Sequence, residues 1–348
     1  MFAVFRSYWL PSLTNYVTLA NMTQQDMTQQ PPFLTSAAQM EQIAQQQQQE
    51  QQQQLPPFRT TGAQIKQIAR NRPPELINGY VPSSGVMVLA GAPGTGKSFT
   101  ALSWAAAIAE GSQWFGRAAR KAAVLYVLGE GYSCFGDRVE AWETVNGREI
   151  PEDLTYVDGL MFGINLKDPY SVQQLIERIN EVPTGLVIFD TFSVLARVDS
   201  ENDNAEVAQV MANAHTIARA TGATVMLIHH TTKTSGSVRG ASAFVGNADT
   251  VVVATEEKKK NENGEIETDG FLLSTATHYG GKRRDGEPKT MHGFSIATPG
   301  VLTHGSNSKG NSSTAPTDPN SEDLKQRLIA GARAANKRLE EQKEEQDS

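Results

Sequence analysis

Between Pro56 and His304 short apolar runs alternate with longer stretches of helical period. The runs Val86 to Ala90, Ala123 to Leu128, Leu186 to Asp190 and Thr224 to His229 are apolar at both odd and even positions. Strands covered on both faces need that pattern, because successive side chains point to opposite sides of a sheet. The segments between them, Lys97 to Glu110, Phe135 to Thr144, Ser171 to Asn180 and Ala205 to Ala220, carry helix-forming residues at helical spacing. The alternation predicts an α/β domain built on a mostly parallel sheet with crossover helices. After Asp249 the pattern changes to strands without helices, at Thr250 to Ala254, Phe271 to Thr277 and Thr290 to Ile296. An antiparallel extension of the sheet is the simplest account.

The two ends read differently. Gln45 to Gln49 and Gln51 to Gln54, interrupted only by Glu50, form a glutamine tract within a polar stretch. Such a composition buries too little surface to offset its chain entropy, so residues 1–55 are expected to form a disordered tail. Gly305 to Ser321 reads as a polar linker, and Glu322 to Glu345 as a charged, solvated helix suited to docking a partner, such as a replication protein. These readings divide the chain into a tail (1–55), one folded domain (56–304) and a C-terminal segment (305–348). Arg6 and Pro11 break the only N-terminal apolar run before it reaches spanning length, so no membrane segment and a cytoplasmic setting are expected. Met22 is an alternative start.

Composition narrows the chemistry. A single cysteine among 348 residues excludes an internal disulfide or a cysteine-based zinc site, and favours a reducing compartment. The net charge of −7 argues against non-specific coating of nucleic acid, but permits a local basic channel.

The sharpest local signal is Gly91-Ala92-Pro93-Gly94-Thr95-Gly96-Lys97-Ser98, a P-loop pattern between a predicted strand and a predicted helix. Its glycines let backbone N–H groups turn onto a β-phosphate, Lys97 reaches the β- and γ-phosphates, and the Ser98 hydroxyl ligates Mg²⁺. Phe99, the next residue, completes the nucleotide-binding set. Asp190 ends the buried run Leu186-Val-Ile-Phe-Asp190 and is the candidate second ligand for the metal; its alternative is a helix cap. Glu130, between Gly129 and Gly131 beyond the second strand, lies at the same carboxyl edge of the sheet and is the candidate base for water. His229 and His230 end the next strand. One of them should pack while the other faces the nucleotide edge, and the sequence leaves open which.

These residues together resemble the RecA-like ATPase core, and within it the RepA-like ATPases of plasmids and phages. The resemblance runs from about Pro56 to Ile296. It rests on the P-loop, Gly129-Glu130-Gly131, Phe189-Asp190-Thr191, His229-His230 with Lys233, and Arg239-Gly240-Ala241-Ser242-Ala243. Pro73 to Pro82 and Trp114-Phe115-Gly116 are also similar. The resemblance implies that Glu130 is the catalytic base, that Asp190 serves Mg²⁺, and that Arg239 is an arginine finger for a neighbour's nucleotide, its alternative being a loop arginine on DNA phosphate or in solvent. Lys282-Arg283-Arg284 looks like a basic turn near a neighbouring nucleotide, or else is a plain charged turn. The implied activity is an ATP- and Mg²⁺-dependent hexameric DNA helicase on single-stranded DNA. The competing reading is an ATP-switched loader or recombination mediator that binds DNA without unwinding. The acidic loop after Asp190 (Asp199, Glu201, Asp203) and the lack of a basic, aromatic-interleaved strip depart from the helicase pattern.

Overall fold

The computed structural model describes residues 59–231, 242–260, 266–284, 286–297 and 301–304. The tail at 1–55, the C-terminal segment at 305–348, Lys233 and Arg239 lie outside the described residues. The chain divides into two compact units at Asn71/Arg72. Helix α1 (Gly62–Arg70) lies in the first of these units. Its N-terminus is closed by a capping box in which Thr61 and Gln64 satisfy each other's backbone donors.

The second unit runs β1 (Gly85–Gly91), α2 (Lys97–Glu110), β2 (Gln113–Trp114), β3 (Arg117–Ala118), β4 (Ala123–Leu128), α3 (Tyr132–Asn146), β5 (Leu154–Asp158), α4 (Pro169–Asn180) and β6 (Thr184–Asp190). It continues through α5 (Phe192–Leu195), α6 (Asn204–Thr221), β7 (Thr224–His230), α7 (Ala243–Asn247), β8 (Thr250–Lys260), β9 (Ile266–Ser274), β10 (Lys282–Arg283), β11 (Thr290–Ala297) and β12 (Val301–His304). The main sheet has the order β12-β11-β9-β8-β1-β7-β6-β4-β5, with β10 paired to β8.

The expected strands and helices form, and the two parities of each central strand feed two separate cores. Met87, Leu89, Tyr126, Leu128, Ile188 and Ile228 face α2 and α3. Val86, Val88, Val187, Phe189, Val225 and Leu227 face α4, α6 and α7. This partition is why those runs had to be apolar throughout. Two readings change. Strand β8 pairs parallel to β1, so the antiparallel region begins only at β9, where β8 and β9 form a hairpin. The stretch after Ser274 leaves the sheet for a short 3₁₀ turn at Thr277–Tyr279.

The Trp114-Phe115-Gly116 segment turns the small β2–β3 hairpin, with Phe115 and Gly116 at φ 42° and 77°. Trp114 is buried, edge-on to Trp104 of α2 at 5.6 Å and stacked on Phe294 of β11 at 5.5 Å. That aromatic cluster binds the antiparallel extension to α2. Phe271 and Ile296 of the same extension crowd the P-loop, because a Cβ on Gly96 would stand 2.8 Å from Ile296 Cδ1 and 3.0 Å from the Phe271 ring. Gly96 also has φ 74°. Gly96→Ala is expected to destabilise the protein by about 1–3 kcal/mol through strain and overpacking; an unchanged denaturation midpoint would refute this.

Candidate functional site

Strand β1 ends at Gly91 and α2 starts at Lys97, so the five intervening residues form the loop that the sequence pattern predicts. Gly94 has φ 84°, open to glycine alone without strain, and nothing lies within 4 Å of where its Cβ would be. The loop ties itself together through Thr95, whose hydroxyl donates to the Ala92 carbonyl at 2.8 Å. Lys97 is only 6% exposed, and its ammonium donates to the same carbonyl at 2.8 Å. Burial lowers its pKa to about 8, against the opposing field of the Asp190 carboxylate. A buried amine resting on a neutral carbonyl beside the open Gly94 fits a polyphosphate, which would restore the charge that burial disfavours.

Asp190 is buried at the carboxyl end of β6. Its Oδ2 accepts a 2.8 Å hydrogen bond from the Tyr126 hydroxyl. Tyr126 lies on the adjacent strand β4, and burial, then the Asp190 charge, push its phenol well above the usual range. It therefore stays protonated and donates. Nothing in the sequence singled out Tyr126; the signal was a polar tip on an otherwise apolar strand, which a buried strand tolerates only with a partner. Ser98 is half-buried at the start of α2. Among the described residues no group of three or more His, Cys, Asp or Glu forms a metal cage. A P-loop metal needs none, since magnesium keeps waters and phosphate oxygens and takes only one or two protein ligands, for which Ser98 and Asp190 remain the candidates. Tyr126→Phe is expected to raise the Mg²⁺ concentration for half-maximal ATPase about 10- to 100-fold. A Mg²⁺ titration with the midpoint unmoved would assign Tyr126 to packing alone.

Glu130 is exposed, two residues beyond the end of β4. Its neighbouring glycines fix the backbone on either side. Gly129 N–H donates to the Asp190 carbonyl at 2.7 Å, and a Cβ there would collide with Leu195 and Val194 of α5. Gly131, at φ 66°, turns the chain into α3. The Glu130 loop is thus fastened directly to the strand that ends in Asp190.

The histidine question is resolved by parity. His229 shares a face with Val225 and Leu227, is fully buried, and stacks on Phe244 at 4.4 Å with Phe192 edge-on at 5.1 Å. His230 falls on the α2 face and pairs in register with Gly91, the first residue of the P-loop. His230 is therefore the histidine that lies beside the P-loop backbone. Phe99 contributes differently from the loop residues. Its half-buried ring packs against the core beneath the Arg138 guanidinium, 5.2 Å away.

Lys282, Arg283 and Arg284 are held internally. The Lys282 ammonium donates to the Val245 and Gly246 carbonyls of α7, at 2.7 and 2.9 Å. Arg283 pairs with Glu75 at 2.8 Å and Arg284 with Asp249. The stretch forms strand β10 and staples three segments, which favours the structural of its two readings.

A family model described as an AAA domain matches residues 49–236, more than half of the chain. The match spans the P-loop, Glu130, Asp190, His229 and His230, and stops before Arg239. No curated protein matches the chain. No helix among the described residues is long and apolar enough to cross a membrane.

Proposed function

Because the chain belongs to the AAA domain family, P-loop ATPases found in phage and plasmid replicative helicases and RecA-like proteins, we propose that it is a Mg²⁺-dependent ATPase that moves along single-stranded DNA as a RepA-like, ring-forming helicase. The observation that carries the ATPase part is the convergence of the buried Lys97 amine, the Tyr126-held Asp190 and the Glu130 loop on one edge of the sheet. Lys97 and the P-loop backbone would hold the phosphates, and Ser98 and Asp190 the metal. Bound Mg²⁺ would neutralise charge on the phosphate oxygens. Glu130, in solvent at the strand end, would take the proton of the attacking water, and His230 beside Gly91 would respond to loss of the γ-phosphate. Arg239 of a neighbouring copy would complete the site.

The DNA part is tested on a forked duplex with ATP and Mg²⁺, with assembly mass measured alongside. Strand displacement supports the helicase. ATPase activity stimulated by single strands with no displacement under any loading condition would replace it with the loader or mediator.

A further inference from the structure

The loop after β5 holds three consecutive large apolar residues in solvent, with Leu160, Met161 and Phe162 51%, 75% and 70% exposed. The backbone beneath them is closely tied. Asp158 Oδ1 accepts from the N–H groups of Leu160 and Met161 at 3.0 and 2.9 Å, and the Asp158 carbonyl accepts from Phe162 N–H at 3.1 Å. Gly159 N–H donates to the Leu128 carbonyl at 2.7 Å, and Ile164 N–H returns to the Gly159 carbonyl at 2.8 Å. An apolar tip on so fixed a backbone loses little freedom when it is covered.

Carboxylates flank the tip. Asp158 stands at its base, and the segment that carries Asp199, Glu201 and Asp203 is laced to the same loop by two contacts. Leu166 N–H donates to the Leu195 carbonyl at 2.8 Å, and Lys167 pairs with Asp199 at 3.6 Å. Lys167 also pairs with Glu206, so a nucleic-acid strand would meet carboxylates here. A segment that covers this tip needs apolar residues flanked by positive charge.

The chain carries such a segment beyond the described residues. Positions 324–339 contain five Lys or Arg and no Asp or Glu. At helical spacing Leu324, Leu328, Ala332, Ala335 and Leu339 share one stripe. Lys325 lies on one flank of that stripe, and Arg327 and Arg338 lie on the other. The span is sufficient as well. The described chain ends at His304 of β12, whose Val301 packs with Ala141 and Val145 of α3, the helix that follows β4. Strand β4 is the sheet neighbour of β5. The polar positions 305–321 extend to about 55 Å at most, and the whole sheet from β12 to β5 is about 40 Å wide at the usual strand spacing. Even the longest path is within reach.

We propose that the Leu160-Met161-Phe162 tip is the docking site for residues 324–339 of the same chain, which latch onto it through an apolar stripe and its basic flanks. This goes beyond the ATPase reading and does not rest on it. Failure of the chain to bind ATP would count against that reading alone.

The full-length chain is tested with p-benzoylphenylalanine at position 162, in an equal mixture of isotope-labelled and unlabelled copies. The mixture is held at about 1 μM, far below the millimolar effective concentration of a tethered segment. Photo-crosslinks should run from position 162 to residues 324–339 within one chain, light to light and heavy to heavy. Leu328→Glu should cut their yield roughly tenfold, as loss of a buried apolar anchor does. Arg327→Glu with Arg338→Glu should cut it severalfold at low salt. These changes lie outside the ATPase fold, so the melting curve and nucleotide binding should not move. Crosslinks between light and heavy chains, or crosslinks that bypass residues 324–339, would overturn the proposal. So would capture of single-stranded DNA at position 162 in place of the segment, or a yield unmoved by Leu328→Glu.

Discussion

Glu130→Gln is expected to lower ATP hydrolysis by about 10²- to 10⁴-fold while leaving nucleotide affinity within a small factor of wild type. The change removes a proton acceptor and almost nothing else. The side chain is exposed at the end of β4 and no described contact depends on its charge. The loop is fixed through its backbone, by the Gly129 bond to Asp190 O at 2.7 Å and by Gly131 at the start of α3, so glutamine keeps the geometry. Equilibrium binding and single-turnover hydrolysis, measured on the same preparation, separate the two effects. Turnover within a few-fold of wild type would dismiss Glu130 as the base and direct attention to other groups at the carboxyl edge.

The second large effect concerns Lys97. Lys97→Ala should weaken ATP binding about 10- to 100-fold, the range for losing a charge-assisted contact to phosphate. The pH profile distinguishes this role from mere packing. In the free protein burial holds the amine at a pKa of about 8. Below that value the amine is already charged, and binding needs no extra proton. Above it the free protein carries a neutral amine, while a polyphosphate demands the ammonium, so binding must take up a proton. Wild-type affinity should therefore be level below about pH 8 and fall above it by up to tenfold per pH unit. The Lys97→Ala variant should lose that alkaline fall. A wild-type affinity that is level through pH 9.5 would contradict the assignment, as would an identical alkaline fall in the variant.

Much of this site could be read from the chain. The P-loop, Asp190 and Glu130 are legible because each sits where an apolar run ends, and in a parallel sheet those ends share one edge. The helix Lys97–Glu110 and the strand Ala123–Leu128 form with the limits that their periodicity predicts. The short strands β2, β3, β10 and β12 escape such reading, since two to four residues carry too little periodicity to register. Strand β5 escapes for another reason: at the sheet edge it is only partly covered, and its Leu-Thr-Tyr-Val-Asp run is mixed. The direction of β8 was likewise hidden, because apolar patterning is the same for parallel and antiparallel neighbours.

The sequence by itself determined the α/β architecture, the phosphate loop and the acidic residues at its edge, because each depends on local spacing and on which runs must be buried. Tertiary structure alone decided how those groups are held. It set Tyr126 against Asp190, turned His230 toward the P-loop and His229 into the Phe192–Phe244 stack, and brought Phe271 and Ile296 down on Gly96. It also committed Lys282, Arg283 and Arg284 to internal partners and left Leu160, Met161 and Phe162 in water. Each of these is a relation between residues far apart in the chain, and strand order and parity fix it, which one-dimensional spacing does not encode.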